Sequence, residues 1–202
     1  MGHQSFQEVT LSTIVGLLRH GQTDWNIDML LQGVSDIPLN QTGHEQAMMA
    51  AEILASQDWH RVVTSPLSRA KVTADYVCAK LGLEPATVHD LLMERSFGAA
   101  EGSSYEEWKE RLQAGLHAEG AESIEDLEQR AFQLLDELAN SYPGERVIAV
   151  SHGALIRKII GLVSLGEFPR DGERFGNASL TTIVHDGDQW KILDYNPATL
   201  RA

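Results

Sequence analysis

The chain has 202 residues, of which 43% are hydrophobic and 22% are charged. This composition is ordinary for a folded globular protein, and the length favours one domain spanning residues 1–202 over two small ones. The formal net charge of -13 argues against nucleic acid or an anionic membrane as a partner, because both are bound through basic faces.

Cysteine content and the N-terminal residues bear on the compartment. A single cysteine, Cys78, excludes an intramolecular disulfide and favours a reducing environment. Met1 to Thr10 lack the apolar run of a signal peptide, and no stretch approaches the ~20 apolar residues that span a bilayer. We therefore expect a cytoplasmic protein. No motif reports on oligomeric state, so a homodimer stays open.

The first predicted elements are a buried strand and a helix. Ser12 to Leu18 is a short apolar run rich in β-branched residues, which predicts a strand that stops at Arg19-His20-Gly21. Thr42 and Glu45 have the spacing of a capping box, which predicts a helix from there to about Ala55.

A second strand and helix follow in the same order. Arg61 to Thr64 predicts the strand, and Ser65-Pro66 places an N-cap residue before a proline at the first helical position. Gly82 stands where a C-cap glycine belongs. This helix would carry Arg69 in its first turn, at the carboxyl end of the strand before it.

The rest of the chain predicts two capped helices, a third strand, an apolar helix and a hairpin. The capped helices begin at Ser104 and Ser123, and the third strand covers Arg146 to Val150. The apolar helix follows Ser151-His152-Gly153 and runs to about Leu165, and the hairpin turns at Asp186-Gly187. Alternating strands and helices predict an α/β fold, a three-layer α/β/α sandwich with a mainly parallel sheet. Ligands of such folds bind at the carboxyl ends of the strands, where Arg19-His20, Arg69 and His152 would meet.

These residue types suit phosphoryl transfer. A phosphoryl group needs a nucleophile in line with the leaving oxygen, and positive donors around its other oxygens. Arg19 and Arg69 offer forked donors and His152 another, while a neutral His20 is a competent nucleophile. Amides of the helix after Gly153 could add donors. A carboxyl group must protonate the leaving oxygen, and we select Glu94 for this role.

Several short motifs then carry a resemblance to a known family. In chain order they are Leu18-Arg19-His20-Gly21-Gln22-Thr23-Asp24-Trp25-Asn26, Leu30-Leu31-Gln32-Gly33, Leu39-Asn40-Gln41-Thr42-Gly43, Ser65-Pro66-Leu67-Ser68-Arg69-Ala70, Glu94-Arg95-Ser96-Phe97-Gly98-Ala99-Ala100-Glu101-Gly102 and Ser151-His152-Gly153. Their sequence and order resemble the histidine phosphatase superfamily, in its phosphoglycerate mutase-like branch.

The resemblance implies specific roles. His20 would be phosphorylated, Glu94 would donate the proton, and the phosphate would be held by Arg19, Arg69 and His152. Further substrate contacts would come from Gln22, Thr23, Asn26, Gln32, Gly33 and Gly153. The family generally needs no metal or organic cofactor, and its substrates are small phosphorylated metabolites. Glu101, in the same segment as Glu94, is a second candidate acid.

Two departures from the family pattern favour a phosphatase over a mutase. Mutases resemble one another in a longer insertion after the acid segment, with a basic pair that grips the substrate carboxylate and excludes water. Here Gly102 to Glu122 is short and mostly acidic, and Ala154 stands where mutases tend to have Asn. We expect this segment to set specificity, with Trp25, Tyr105 and Trp108 shaping the wall. A mutase remains the alternative.

Two other readings stay open. Ala149-Val150-Ser151-His152-Gly153 is close to the nucleophile elbow of an α/β-hydrolase, which would make Ser151 the nucleophile, His185 the base and Asp171 its orienting residue. That reading leaves Arg19-His20 unexplained. The same fold could also serve as a non-catalytic phosphate-binding module.

Overall fold

The computed structural model describes residues 12–201. The strands are β1 (Thr13–Arg19), β2 (Arg61–Thr64), β3 (Thr87–Val88), β4 (Arg146–Ser151), β5 (Leu180–His185) and β6 (Trp190–Asp194). The helices are α1 (Asp24–Ile27), α2 (Gln41–Leu54), α3 (Ser68–Leu81), α4 (Tyr105–Gln113), α5 (Ile124–Ser141) and α6 (Gly153–Val163). Within the described range, no helix combines the length and apolarity needed to cross a membrane. The N-terminal residues in which no signal peptide was found lie outside that range.

The strands form one six-stranded sheet in the order β3-β2-β4-β1-β5-β6. β1, β2, β3 and β4 pair in parallel, whereas β5 runs antiparallel to both β1 and β6. The predicted α/β fold is thus confirmed, with an antiparallel addition at one edge. This addition includes the hairpin predicted at Asp186-Gly187, where β5 turns back into β6.

Helices cover both faces of the sheet, as the predicted sandwich requires. Alternate side chains of a strand point to opposite faces, so Val15 and Leu17 of β1 join the core formed with α5 and α6. Leu18, on the other face, joins the core formed with α2 and α3. The central strands are therefore buried on both sides, which explains their nearly continuous apolar sequences.

Two helices begin at residues other than those predicted. The N-cap of α2 is Asn40, whose side-chain oxygen accepts the N–H of Gly43 at 2.9 Å, so Thr42 lies inside the helix. α3 begins at Ser68 rather than at Pro66, and its N-cap Leu67 has no capping side chain. The N–H of Ser68 instead donates to Asp36 at 2.7 Å. A distant loop therefore caps α3, which local sequence could not reveal.

Other predicted boundaries are confirmed. Ser104 and Ser123 cap α4 and α5, and Gly82 ends α3 in the left-handed conformation with φ of 66°. α6 ends at Val163, slightly before the predicted Leu165, which itself has φ of 54° and is 95% exposed.

Candidate active site

Three parallel strands end side by side at one edge of the sheet. Arg19 pairs with Ser151 across β1 and β4, and the N–H of His20 donates to the Ser151 carbonyl at 3.0 Å. The N–H of Ser65, after β2, donates to the Val150 carbonyl at 3.0 Å. This register brings His20, Ser65 and His152 together at the carboxyl edge, although they are far apart in the chain.

His20 is almost fully buried, with 2% of its surface exposed. Its Nδ1 lies 2.6 Å from the carbonyl oxygen of Gly21. A carbonyl only accepts, so Nδ1 carries the proton and Nε2 presents a lone pair. Burial, followed by repulsion from Arg69 and Arg19, holds the pKa of His20 well below its ordinary value of 6.5. His20 is therefore neutral at physiological pH, and a neutral imidazole with a lone pair on Nε2 is chemically able to act as a nucleophile.

His152 lies beside His20, with the two ring centroids 5.1 Å apart and the planes tilted by 54°. It is fully buried, its Nε2 lies 2.7 Å from Oγ of Ser65, and its Nδ1 has no hydrogen-bond partner among the described residues. Burial first, then charge repulsion from His20, Arg69 and Arg19, holds its pKa well below 6.5. One ring nitrogen thus remains available to a ligand.

The two arginines bring positive charge to the same edge. Arg69, 1% exposed, donates to the carbonyls of Ser35 at 2.7 Å and Gly33 at 2.8 Å, while Arg19 donates to the carbonyl of Phe175. The Nε atoms of both guanidiniums are buried without partners in the described part of the chain. Burial lowers the pKa of Arg19 to about 10, partly offset by the nearby charge of Glu94.

Neutral carbonyls alone are weak compensation for two neighbouring cations. Burial also lowers the pKa of Arg69, whereas Glu94, Asp36 and Glu101 raise it. No carboxylate among the described residues forms a salt bridge with either guanidinium. Because a buried charge is costly unless it is paired, the arrangement favours an anionic ligand.

Glu94 lies at the N-terminus of α6. Its carboxylate accepts the N–H of Ala154 at 3.1 Å and of Leu155 at 3.1 Å, and that of Arg95 at 2.9 Å. Two of the α6 amides that could have donated to a substrate are therefore taken by Glu94. Gly153 packs against the guanidinium of Arg19, since a Cβ added at Gly153 would lie 3.5 Å from Nε of Arg19. Substrate contact by Gly153 stays a prediction.

Glu101, the other candidate acid, has a structural task. Its carboxylate accepts the N–H of Val34 at 3.0 Å, of Phe97 at 3.1 Å and of Ser35 at 2.8 Å, and also the hydroxyl of Ser35. It thereby shapes the loop whose carbonyls hold Arg69. Glu94 instead binds the first amides of α6, the helix that begins directly after His152, which favours Glu94 as the acid.

The loop after His20 gives several predicted substrate contacts a local role. Thr23 caps α1, accepting the N–H of Asn26 at 3.2 Å, and its own N–H donates to Oδ1 of Asn26 at 3.1 Å. Gln22 accepts from Nδ2 of Asn40 at 3.2 Å. A side chain at Gly21 would overlap the backbone of Gly43 in α2. Glycine is therefore required where this loop crosses the helix.

Gln32 and Gly33 lie in the loop that wraps the start of α3. Gln32 is buried, and its Oε1 has no hydrogen-bond partner within residues 12–201. Gly33 has φ of 52° and offers its carbonyl to Arg69, and a Cβ there would collide with Glu101. Substrate contact by either residue stays a prediction.

Two features of the site were missed in the sequence. Asn177 donates to the carbonyl of His20 at 3.2 Å and to Oδ1 of Asn26 at 2.9 Å. Arg130, paired with Glu122 at 2.7 Å, donates to the carbonyls that flank Glu94, including Met93 at 2.7 Å. Each is an isolated polar residue outside any motif, so only the tertiary contacts identify it.

The nucleophile-elbow interpretation is wrong. Ser151 is fully buried and donates to the Leu92 carbonyl at 2.8 Å. His185 pairs with Thr13 at the start of β1, at the opposite end of the sheet from Ser151. At ~3.3 Å per strand residue, the two ends are roughly 20 Å apart. No triad can form across that separation.

The predicted specificity segment, residues 102–122, contains one α-helix, α4. Tyr105 is 46% exposed, with the guanidinium of Arg174 5.3 Å from its ring centre, and the ring of Trp25 packs over Gly102. Trp108 is buried in an edge-to-face contact with Phe97. Trp108 thus belongs to the small core beneath α4 and not to an open wall.

Among residues 12–201, no cluster of three or more His, Cys, Asp or Glu could hold a metal ion.

Comparison with known proteins agrees with this geometry. The histidine phosphatase superfamily (branch 1) matches residues 15–197. An uncharacterised phosphatase of Bacillus subtilis, PhoE, is 39% identical over 184 residues, covering 91% of this chain and 94% of its own. Phosphoglycerate mutase-like protein 4 of Arabidopsis thaliana is 34% identical, covering 92% and 85%. The chain belongs to the histidine phosphatase superfamily.

A solved structure extends the likeness. The native structure of a mycobacterial glucosyl-3-phosphoglycerate phosphatase superposes with a TM-score of 0.78 at 29% identity, covering 92% of this chain and 99% of that one. The predicted resemblance to the family is thereby confirmed over nearly the whole chain.

Proposed function

We propose that this protein is a cytoplasmic phosphatase that hydrolyses small phosphomonoesters through a phosphohistidine intermediate on His20. The observation that carries the proposal is the group of two buried, neutral imidazoles and two arginines without carboxylate partners at one sheet edge. A phosphoryl dianion supplies the charge that this group lacks. The names of a phosphatase and of a mutase-like protein among the relatives support phosphoryl transfer as the reaction class.

In the first half-reaction, Nε2 of His20 attacks phosphorus as the bond to the ester oxygen breaks. The Gly21 carbonyl supports this role because it keeps the proton on Nδ1. Arg19, Arg69 and His152 stabilise charge on the three other oxygens. The leaving oxygen receives a proton from Glu94, and the alcohol departs.

In the second half-reaction, Glu94 takes a proton from water, and the oxygen attacks the phosphohistidine. The P–N bond breaks, its electron pair returns to Nε2 of His20, and inorganic phosphate is released. Glu94 raises the pKa of both Arg19 and Arg69, so its charge is felt at the phosphate position. The N–H groups of Ala154 and Leu155 hold this carboxyl group at the N-terminus of α6, beside the site.

A phosphoglycerate mutase is the second candidate. It is favoured by the mutase names of several relatives. The segment after the acid residue supports hydrolysis instead, because its only helix, α4, has 9 residues and carries Glu106 and Glu107 in its first turn. A mutase has to keep water from its phosphoenzyme, and this segment adds no long cover. An isomerisation assay with 3-phosphoglycerate distinguishes the two.

Trapping the intermediate tests the proposal. The wild type mixed with an aryl phosphate and analysed by mass spectrometry without acid should carry one phosphate on His20. His20→Ala should lose turnover while its circular dichroism spectrum is unchanged, and His185→Ala, at the far end of the sheet, should behave as the wild type. Turnover by His20→Ala would refute the nucleophile. Phosphate binding without turnover by the wild type would indicate a binding module.

A further inference from the structure

Ser65 has no role in the mechanism above, yet it is fully buried at the end of β2. The sequence predicted that it caps a helix, but α3 begins three residues later and Asp36 binds the first N–H. The hydroxyl oxygen of Ser65 lies 2.7 Å from Nε2 of His152. It also accepts the N–H of Leu67 over a longer distance of 3.3 Å.

We propose that Ser65 is a positioning residue that sets the tautomer of His152, so that the Nδ1–H of this imidazole donates a hydrogen bond to the phosphoryl group. The catalytic meaning of the proposal rests on the phosphatase function above. In this arrangement the Ser65 O–H donates to Nε2, and the single ring proton of neutral His152 is on Nδ1.

The direction of the hydrogen bond follows from the available partners. Ser65 has one O–H, and its only acceptor within hydrogen-bond reach in the described structure is Nε2 of His152. The N–H of Leu67 already occupies a lone pair of the hydroxyl oxygen. If His152 were the donor instead, the Ser65 proton would have no buried acceptor, and an unmade hydrogen bond inside a protein is costly.

The ligand side requires the same tautomer. Nδ1 of His152 is buried without a partner among the described residues, so it is the ring nitrogen left for a ligand. A phosphoryl dianion presents only lone pairs. An Nδ1 lone pair would repel those oxygens, whereas an Nδ1–H stabilises them.

The two histidines then divide the work through their second nitrogens. A carbonyl acceptor on Nδ1 of His20 leaves an Nε2 lone pair facing the substrate. A hydroxyl donor on Nε2 of His152 leaves an N–H facing it. One imidazole becomes the nucleophile and the other a donor, although both are neutral and their rings are neighbours. A carbonyl at the position of Ser65 would give the wrong tautomer.

Nitrogen NMR of the full chain tests the tautomer directly. With ¹⁵N-labelled histidine at pH 7.5, the His152 signals, assigned with His152→Gln, should show a pyrrole-type Nδ1 and a pyridine-type Nε2. Ser65→Ala should increase the population with the proton on Nε2. A wild-type His152 protonated on Nε2 overturns the proposal. The wild-type spectrum, with this assignment, decides the matter even where Ser65→Ala fails to fold.

Kinetics test the consequence. Ser65→Ala should lower kcat for an aryl phosphate by roughly 10- to 100-fold, the range seen when a metal-binding histidine loses the partner that orients it. It should also raise the Ki of inorganic phosphate, and Ser65→Thr, which retains the hydroxyl, should recover most of the loss. In a His152→Gln background Ser65→Ala should add little, because the two residues act as one unit.

An equal loss from Ser65→Ala in both backgrounds would overturn the proposal, since Ser65 would then act independently of His152. Failure of the phosphatase function gives a different result. A wild type with the expected His152 tautomer but without turnover of any phosphomonoester would contradict the phosphatase and leave the tautomer assignment intact.

Discussion

Replacing Glu94 with glutamine separates two roles of one carboxylate. Glu94 caps α6 through the N–H groups of Ala154 and Leu155 and also binds its neighbour Arg95. Glutamine keeps one acceptor oxygen but turns an NH₂ group toward these donors. The same change removes the acidic proton that the mechanism requires. Stability and catalysis should therefore both fall, by amounts that can be worked out separately.

The stability loss follows from the contacts. A hydrogen bond to a charged group contributes about 1.5–3 kcal/mol, and an anion at a helix N-terminus a further ~0.3–1 kcal/mol. Because glutamine retains one oxygen, we expect Glu94→Gln to lower the free energy of unfolding by about 2–3 kcal/mol. Urea denaturation followed by circular dichroism at pH 7.5 measures it. An unchanged unfolding free energy would refute the capping role.

The catalytic loss should depend on the leaving group. For an alkyl phosphate, Glu94→Gln should lower kcat/KM by roughly 100-fold or more, the usual contribution of a general acid. For 4-nitrophenyl phosphate, whose leaving group needs no proton, the loss should be far smaller. Glu101→Gln is a matched control, because it also removes a carboxylate that binds several donors. It should affect both esters alike; a leaving-group dependence in Glu101→Gln, or its absence in Glu94→Gln, would refute the acid assignment.

Three further perturbations test the site. Inorganic phosphate at about 100 times its Kd should stabilise the wild type by ~2.7 kcal/mol. In thermal melts this corresponds to a rise in Tm of about 5–10 °C relative to chloride at equal ionic strength. Arg69→Met should lose most of this rise. Since the folded-state pKa of His20 and of His152 lies below 6.5, the unfolded chain binds protons first. The unfolding free energy should fall as the pH drops below 6.5, by up to ~1.4 kcal/mol per pH unit for each histidine. Urea melts of His152→Gln should show a weaker dependence of unfolding free energy on pH. An unaltered dependence would contradict the lowered pKa of His152. Arg130→Met should lower the free energy of unfolding by roughly 3 kcal/mol, because it leaves the Glu122 carboxylate without its partner. The double variant with Glu122→Leu should recover part of that loss in urea melts.

The sequence predicted the fold wherever local pattern dominates. Short apolar runs define β1, β2 and β4 because central strands are buried on both faces, and serine caps define α4 and α5 because these caps are local. The placement of β5 beside β1 depends on long-range pairing, which no local pattern contains. The start of α3 was mispredicted for the same reason, since its capping group comes from another loop.

The site shows the same division. Arg19, His20, Arg69 and His152 are predictable because each follows a strand, and parallel strands end at a common edge. The sequence selected Glu94 but kept Glu101 as a second candidate because both lie in one segment, and their different contacts in the structure favour Glu94. The tasks of Ser65 and Asn177 depend on partners 87 and 157 residues away.

The position of β1 between β4 and β5 has a consequence for the nascent chain. The His20 carbonyl accepts N–H groups from Ala178 and Asn177, and the Arg19 N–H donates to Ser179. His20, the proposed nucleophile, is therefore synthesised 157 residues before Asn177, which helps to secure its loop. A polypeptide that stops after α6 would contain His20 without these hydrogen bonds, so such a fragment should lack the proposed phosphatase activity.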